Sequence, residues 1–210
     1  ESVFLTLGSE EKKNLFNQYA GIDKTEDFAE RLRHATNLSV QSICFENFGD
    51  HNIYENLSMH DGQAIGLFIT RGSDNLVLNC DAYRNHDFTS ENRKGGNVDG
   101  FGFHVPEGSV GNVFRGCRAW FNSDDGFDLI NTGEALLIEN CWAFYNGYDP
   151  DFKSLGDGNG FKLGGDNTFC PVKVLNCVAL DCQWGTAAGF AYNNNTAPFT
   201  LYNCLAVNCG

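Results

Sequence analysis

The chain has 210 residues, with 14 Lys plus Arg against 27 Asp plus Glu, a formal net charge of −13 at pH 7. That field repels phosphate backbones and anionic bilayers, which argues against nucleic acid and membrane surfaces as partners. An acidic polymer can approach only where metal ions or local basic residues reverse the sign. The length suits a single core, no apolar run approaches the ~18 residues that span a bilayer, and no segment reads as a secretory leader.

In chain order, Ser9 to Tyr19 and Thr25 to His34 read as two short amphipathic helices, with Ser9 and Thr25 as N-caps. Residues 1–40 are therefore set apart as a helical segment. It is read as a cap over an open strand edge, an insertion or an unrelated leader. Beyond it the chain repeats. A degenerate copy runs from Asn52 to His60, and fuller copies run Leu76–Asn85, Val113–Asn122, Leu137–Asn146, Val174–Cys182 and Leu201–Cys209, each with a Cys followed two residues later by Ala. A second motif, glycine followed by an apolar residue, alternates with the first at Gly66-Leu67, Gly100-Phe101, Gly126-Phe127, Gly160-Phe161 and Gly189-Phe190. These glycines are 34, 26, 34 and 29 residues apart, a period in the mid-twenties with loops inserted into some repeats.

Each repeat holds short alternating strands broken by Gly, Asn and Asp. Such a unit buries its apolar face only by stacking on its neighbours. The expectation over residues 41–210 is an all-β solenoid, a parallel β-helix. It predicts an internal ladder of Cys80, Cys117, Cys141, Cys177 and Cys204. It also predicts an asparagine ladder of Asn85, Asn122 and Asn146, and a stack of Phe101, Phe127, Phe161 and Phe190. The nine cysteines lack zinc-knuckle spacing and read as buried thiols, with one or two disulfides as the alternative. No capping helix follows Cys209, which reads as a truncated solenoid.

The register also places charges. One residue before the motif glycine stand Ile65, Asp99, Asp125, Asn159 and Ala188; two after it stand Phe68, Gly102, Asp128, Lys162 and Ala191. Phe127 and Leu129, like Phe161 and Leu163, are core residues, so Asp128 and Lys162 point outward. With coils about 4.8 Å apart, Asp99, Asp124, Asp125 and Asp128 gather on one patch. Like charges at that range repel unless a cation compensates them, and an all-oxygen donor set suits calcium. A single Asp-Gly pair is an ordinary turn. Several in register, with Lys162 one coil beyond Asp128 on the same face, point to a metal-assisted site with an amine beside it.

The segments Asn97 to Phe101, Asn122 to Asp128 and Gly158 to Gly165 resemble the pectate lyases of polysaccharide lyase family 9. The resemblance covers about residues 51–210. It implies a right-handed parallel β-helix with more coils than this chain supplies, and Ca2+ held by Asp99, Asp124, Asp125 and Asp128. It also implies Lys162 as the Brønsted base of a β-elimination on polygalacturonate, in a secreted, periplasmic or surface-bound monomer. An amine acting as base beside a cation predicts an alkaline optimum. His104, Arg115 and Arg118 are candidate contacts to substrate charge, against the alternative of ordinary surface residues. A rhamnogalacturonan I lyase would carry the same machinery. A polygalacturonase-like hydrolase is disfavoured because its Gly-His-Gly and Arg-Ile-Lys motifs are absent. A non-catalytic, calcium-stabilised glycan-binding solenoid is the remaining alternative.

Overall fold

The computed structural model describes residues 43–87, 95–183 and 187–210. The two helices expected before residue 40 lie outside these. Among the described residues, eighteen short strands, numbered along the chain, form three parallel six-stranded sheets. The first holds β1 (Phe45–Asn47), β4 (Leu67–Ile69), β7 (Phe101–Phe103), β10 (Phe127–Asp128), β13 (Phe161–Lys162) and β16 (Phe190–Ala191). The second holds β2 (Ile53–Glu55), β5 (Leu76–Leu78), β8 (Val113–Arg115), β11 (Leu137–Glu139), β14 (Lys173–Leu175) and β17 (Thr200–Tyr202). The third holds β3 (Ser58–His60), β6 (Asp81–Tyr83), β9 (Arg118–Trp120), β12 (Trp142–Phe144), β15 (Val178–Leu180) and β18 (Leu205–Val207). Every third strand pairs with the same wall of the next coil, which is a parallel β-helix.

Loops account for the uneven repeat. Ile53 pairs with Leu76, Leu76 with Val113 and Val113 with Leu137, so the pairing survives offsets of 23, 37 and 24 residues. The extra residues follow Asn85 and Asn146 and leave the walls in register.

Both sequence motifs have a packing reason. A Cβ on Gly126 would lie 2.6 Å from the Gly160 carbonyl oxygen and 2.9 Å from Ala143 Cβ. Gly100 and Gly160 meet Ala119 and Ala179 in the same way. The glycine column and the alanine column of the third sheet therefore share one tight corner, where neither can carry a larger side chain. Inside, Phe101, Phe127, Phe161 and Phe190 stack with centroids 4.9, 4.7 and 4.9 Å apart. Cys80, Cys117, Cys141 and Cys177 form the expected buried column, each with its sulfur against a backbone carbonyl.

The asparagine ladder is also present. Asn85 Nδ2 donates to Asn122 Oδ1 at 2.9 Å, and Asn122 Nδ2 to Asn146 Oδ1 at 3.0 Å. Their amides also serve the Met59, Ala82 and Ala119 carbonyls, so the buried corner is satisfied without water. The next two positions of this column, Cys182 and Cys209, are joined as a disulfide. The other seven cysteines are free. Between the second and third sheets the chain turns through left-handed conformations at Asn79, Asn140, Asn176 and Asn203 (φ 50–56°), and at Gly116 (φ 66°) in the same column. Asparagine and glycine tolerate that region best.

Candidate functional site

The glycine corner brings the residues before it into a column. The Asp125 amide donates to Asp99 Oδ1 at 3.0 Å, and the Asn159 amide and Nδ2 both donate to Asp125 Oδ1 at 2.7 Å. The Ala188 amide continues the column by donating to Asn159 Oδ1. One oxygen of each aspartate is thus a rung of the fold. The other is left over: among the described residues, Asp99 Oδ2 is buried without a hydrogen-bond partner, and Asp125 Oδ2 has only an ion pair with Lys162 Nζ at 3.1 Å.

Asp128 and Lys162 are register partners on β10 and β13. As expected, they lie on the opposite side of their strands from the buried Phe127, Leu129, Phe161 and Leu163. Yet they are far from open: Asp128 is 4% exposed, and the Lys162 side chain 12%. The Ile130 amide holds Asp128 Oδ1 at 2.8 Å. Asp128 Oδ2 faces Lys162 Nζ at 3.6 Å and His104 Nε2 at 3.7 Å. One oxygen each from Asp99, Asp125 and Asp128 can be chosen so that all lie within 4.8 Å of one another.

Three expected site residues are placed differently. Asp124 adjoins the cluster, but its two oxygens accept the backbone amides of Asp157 at 2.6 Å and Asn97 at 2.5 Å. It organises the entering loops and stands outside the three-carboxylate group. Arg115 is on the second sheet and pairs with Glu139 of the next strand. Arg118 is on the third sheet, with Nε and Nη2 on the two oxygens of Asp81 at 2.7 and 2.6 Å. Both arginines face other walls and are already neutralised, so neither joins the carboxylate site. His104 does join it. The sequence reading overlooked Asn159 as the donor to Asp125, although its place in the column signalled it. It also overlooked Phe68, whose packing on His104 had no signal in the sequence.

The charges are unbalanced. Burial raises the Asp99 carboxyl well above the usual carboxylate range, and Asp128, Asp124 and Asp125 raise it further. Burial, then Asp124, pushes Asp125 up to about 8 despite the opposing Lys162. Asp124 is also raised by burial, with the Asn97 and Asp157 amides opposing. For Lys162, burial favours the neutral amine, but Asp125, Asp128 and Asp99 outweigh it and hold the ammonium. Among the described residues a single ammonium, Lys162, pairs with these carboxylates, and two of their oxygens lack a hydrogen bond. An oxygen-only set with a surplus of negative charge fits a hard divalent cation.

Comparison with known proteins places the chain in a family. The family described as "Pel9A-like, right handed beta helix region" matches residues 18–210. Pectate lyase L of Dickeya chrysanthemi is 44% identical over 158 residues, covering 74% of this chain and 36% of that protein. Pectate lyase L of Paenibacillus polymyxa is 37% identical over 172 residues, with the same shares. Among solved structures, a rhamnogalacturonan lyase aligns with a TM-score of 0.63 at 48% identity, over 69% of this chain and 38% of that one. Pectate lyase Pel9A aligns with a TM-score of 0.63 at 40% identity, over 74% and 38%. The chain thus spans little more than a third of the length of these relatives. It belongs to the Pel9A-like family of right-handed parallel β-helices, the polysaccharide lyase family 9 fold that its repeated motifs resemble.

Proposed function

We propose that these coils carry the catalytic centre of a calcium-dependent lyase that cleaves pectate by β-elimination, with Lys162 as the base. The observation that supports this most is the placement of Lys162 Nζ, 3.1 Å from Asp125 and 3.6 Å from Asp128. An amine is thereby anchored beside carboxylate oxygens that lack compensation. Asp99, Asp125 and Asp128 would hold the cation, and Asp124, fixed by its two amides, would keep the corner rigid. Calcium bound there would neutralise the uronate carboxylate and so acidify the hydrogen on C5.

Lys162 has two roles that exclude each other. Alone among the carboxylates it is their counter-ion and keeps its proton. Once another cation compensates them, the same ammonium is disfavoured and the neutral amine becomes accessible. Once the pull of the carboxylates is cancelled, bringing its pKa about two units below the ordinary lysine value takes a further ~2.7 kcal/mol of differential interaction. Nζ then accepts the C5 proton. The C5–H electrons form the C4=C5 double bond, and the C4–O bond breaks toward the leaving sugar oxygen, which takes a proton from solvent, while the proton on Nζ is returned to solvent to restore the base. No water is consumed. Burial of Lys162 favours the neutral amine by desolvating the ammonium.

The test is formation of unsaturated product from polygalacturonate, followed by absorbance, with and without chelator. Lys162→Ala should lower the rate by about 10²–10⁴, the usual contribution of a general base. Retention of substantial activity by Lys162→Ala, or indifference to chelator, would refute the assignment. A second reading, elimination on rhamnogalacturonan I, is favoured by the 48% identity to a solved rhamnogalacturonan lyase. The same assay on that polymer separates the two. Such polymeric substrates, together with the Cys182–Cys209 disulfide, favour action outside the reducing cytosol.

A further inference from the structure

His104 follows β7 and faces the same side as Gly102, the register partner of Phe68 and of Asp128. Its amide is tied to the Ile69 carbonyl at 3.0 Å. Its ring packs edge-on against Phe68, with centroids 4.8 Å apart and planes at 84°. Phe68 can lie there because Gly102 has no side chain: a Cβ on Gly102 would meet Phe68 Cδ2 at 2.8 Å. Held this way, His104 Nε2 is buried without a hydrogen-bond partner among the described residues, 3.7 Å from Asp128 Oδ2. A polar atom left buried and unpaired destabilises the fold. A chain that builds an aromatic support for one gains only if the nitrogen is used in some state of the site.

We propose that His104 is a positioning residue: its Nε2–H serves Asp128 Oδ2 and presents that carboxylate to the cation held with Asp99 and Asp125. The inference rests on the cation reading above. Asp128 Oδ1 is already fixed by the Ile130 amide, so Oδ2 is the oxygen free to ligate. Without a cation, Lys162 competes for it from 3.6 Å. With a cation in place the ammonium is repelled, and among the described residues His104 is the donor that remains. A donor behind a ligating carboxylate orients it and typically sets metal affinity by about 10–100-fold.

Calorimetric titration of the full chain with CaCl2 tests this independently of turnover. His104→Phe keeps the ring packed on Phe68 but removes the donor. It should weaken calcium binding about 10–100-fold while leaving the calcium-free melting temperature equal or higher, because the orphaned nitrogen is gone. His104→Gln, which restores a donor, should recover part of the affinity. A residue with a merely structural role would lose stability in both conditions instead. Wild-type affinity in His104→Phe would overturn the proposal. No calcium binding by the wild type would instead remove the cation reading, and this inference with it. Should His104→Phe not fold, Phe68→Leu frees the ring without touching its nitrogens. Weaker calcium binding is expected, and unchanged affinity would again overturn the proposal.

Discussion

Asp125 is a buried carboxylate whose oxygens serve both the column and Lys162, so Asp125→Asn is an informative perturbation of the site. The substitution is nearly isosteric and keeps an oxygen for the Asn159 amide and Nδ2, so the column survives. In the wild type the carboxyl is raised from 3.8 to about 8 by burial and by Asp124. Below the lower value both folded and unfolded chains hold the proton. Between the two, the unfolded chain releases it first, so stability falls as pH rises, and above about 8 it levels off. At pH 7 the penalty is on the order of 4 kcal/mol, from roughly three pH units at 1.36 kcal/mol each. For a chain of this size that corresponds to about 10 °C in melting temperature. Thermal unfolding in chelator should therefore show wild-type stability dropping from pH 4 to 8, with a shallower slope in Asp125→Asn. Calcium at 100 times its Kd should restore about 2.7 kcal/mol to the wild type and little to the variant. Parallel pH profiles and equal calcium responses in the two proteins would refute the view that this carboxylate is a buried charge awaiting a cation.

Two further expectations concern the scaffold. Gly126→Ala forces a methyl to within 2.6 Å of the Gly160 carbonyl and 2.9 Å of Ala143 Cβ. It should cost about 1–3 kcal/mol, read as a lower denaturant midpoint, and wild-type stability would contradict the shared-corner account. The Cys182–Cys209 bond closes a separation of 27 residues, for which chain entropy suggests about 3–4 kcal/mol. Reductant should accordingly lower the melting temperature of the wild type but not of Cys182→Ser, and thiol counting should show seven free cysteines before reduction. Nine would disprove the bond.

The architecture was legible because a solenoid repeats its requirements. A small residue where coils touch, an amide where turn carbonyls are buried and a phenyl ring in the core recur with each coil, and strand alternation then assigns a side to every residue between them. Gly126, Asn122 and Phe127 could each be placed from the motif they share with other repeats. The same regularity put Asp99 beside Asp125 and turned Asp128 and Lys162 away from the core. What the repeat leaves open is how many hydrogen bonds each polar atom finds, because those partners come from inserted loops that have no counterpart in neighbouring coils. Asp124 and Asp125 are adjacent in sequence, yet amides from Asn97 and Asp157 occupy the first while Asp125 keeps an oxygen for Lys162. Arg115 and Arg118 stood near the site in the chain but turned onto other walls, where Glu139 and Asp81 claim them. His104 entered the site through an aromatic contact with Phe68, 36 residues earlier, across a glycine. Periodicity therefore determined the fold and the direction of the side chains. Only the folded chain decided which oxygens remain unpaired, because that depends on contacts between segments whose sequences carry no record of one another.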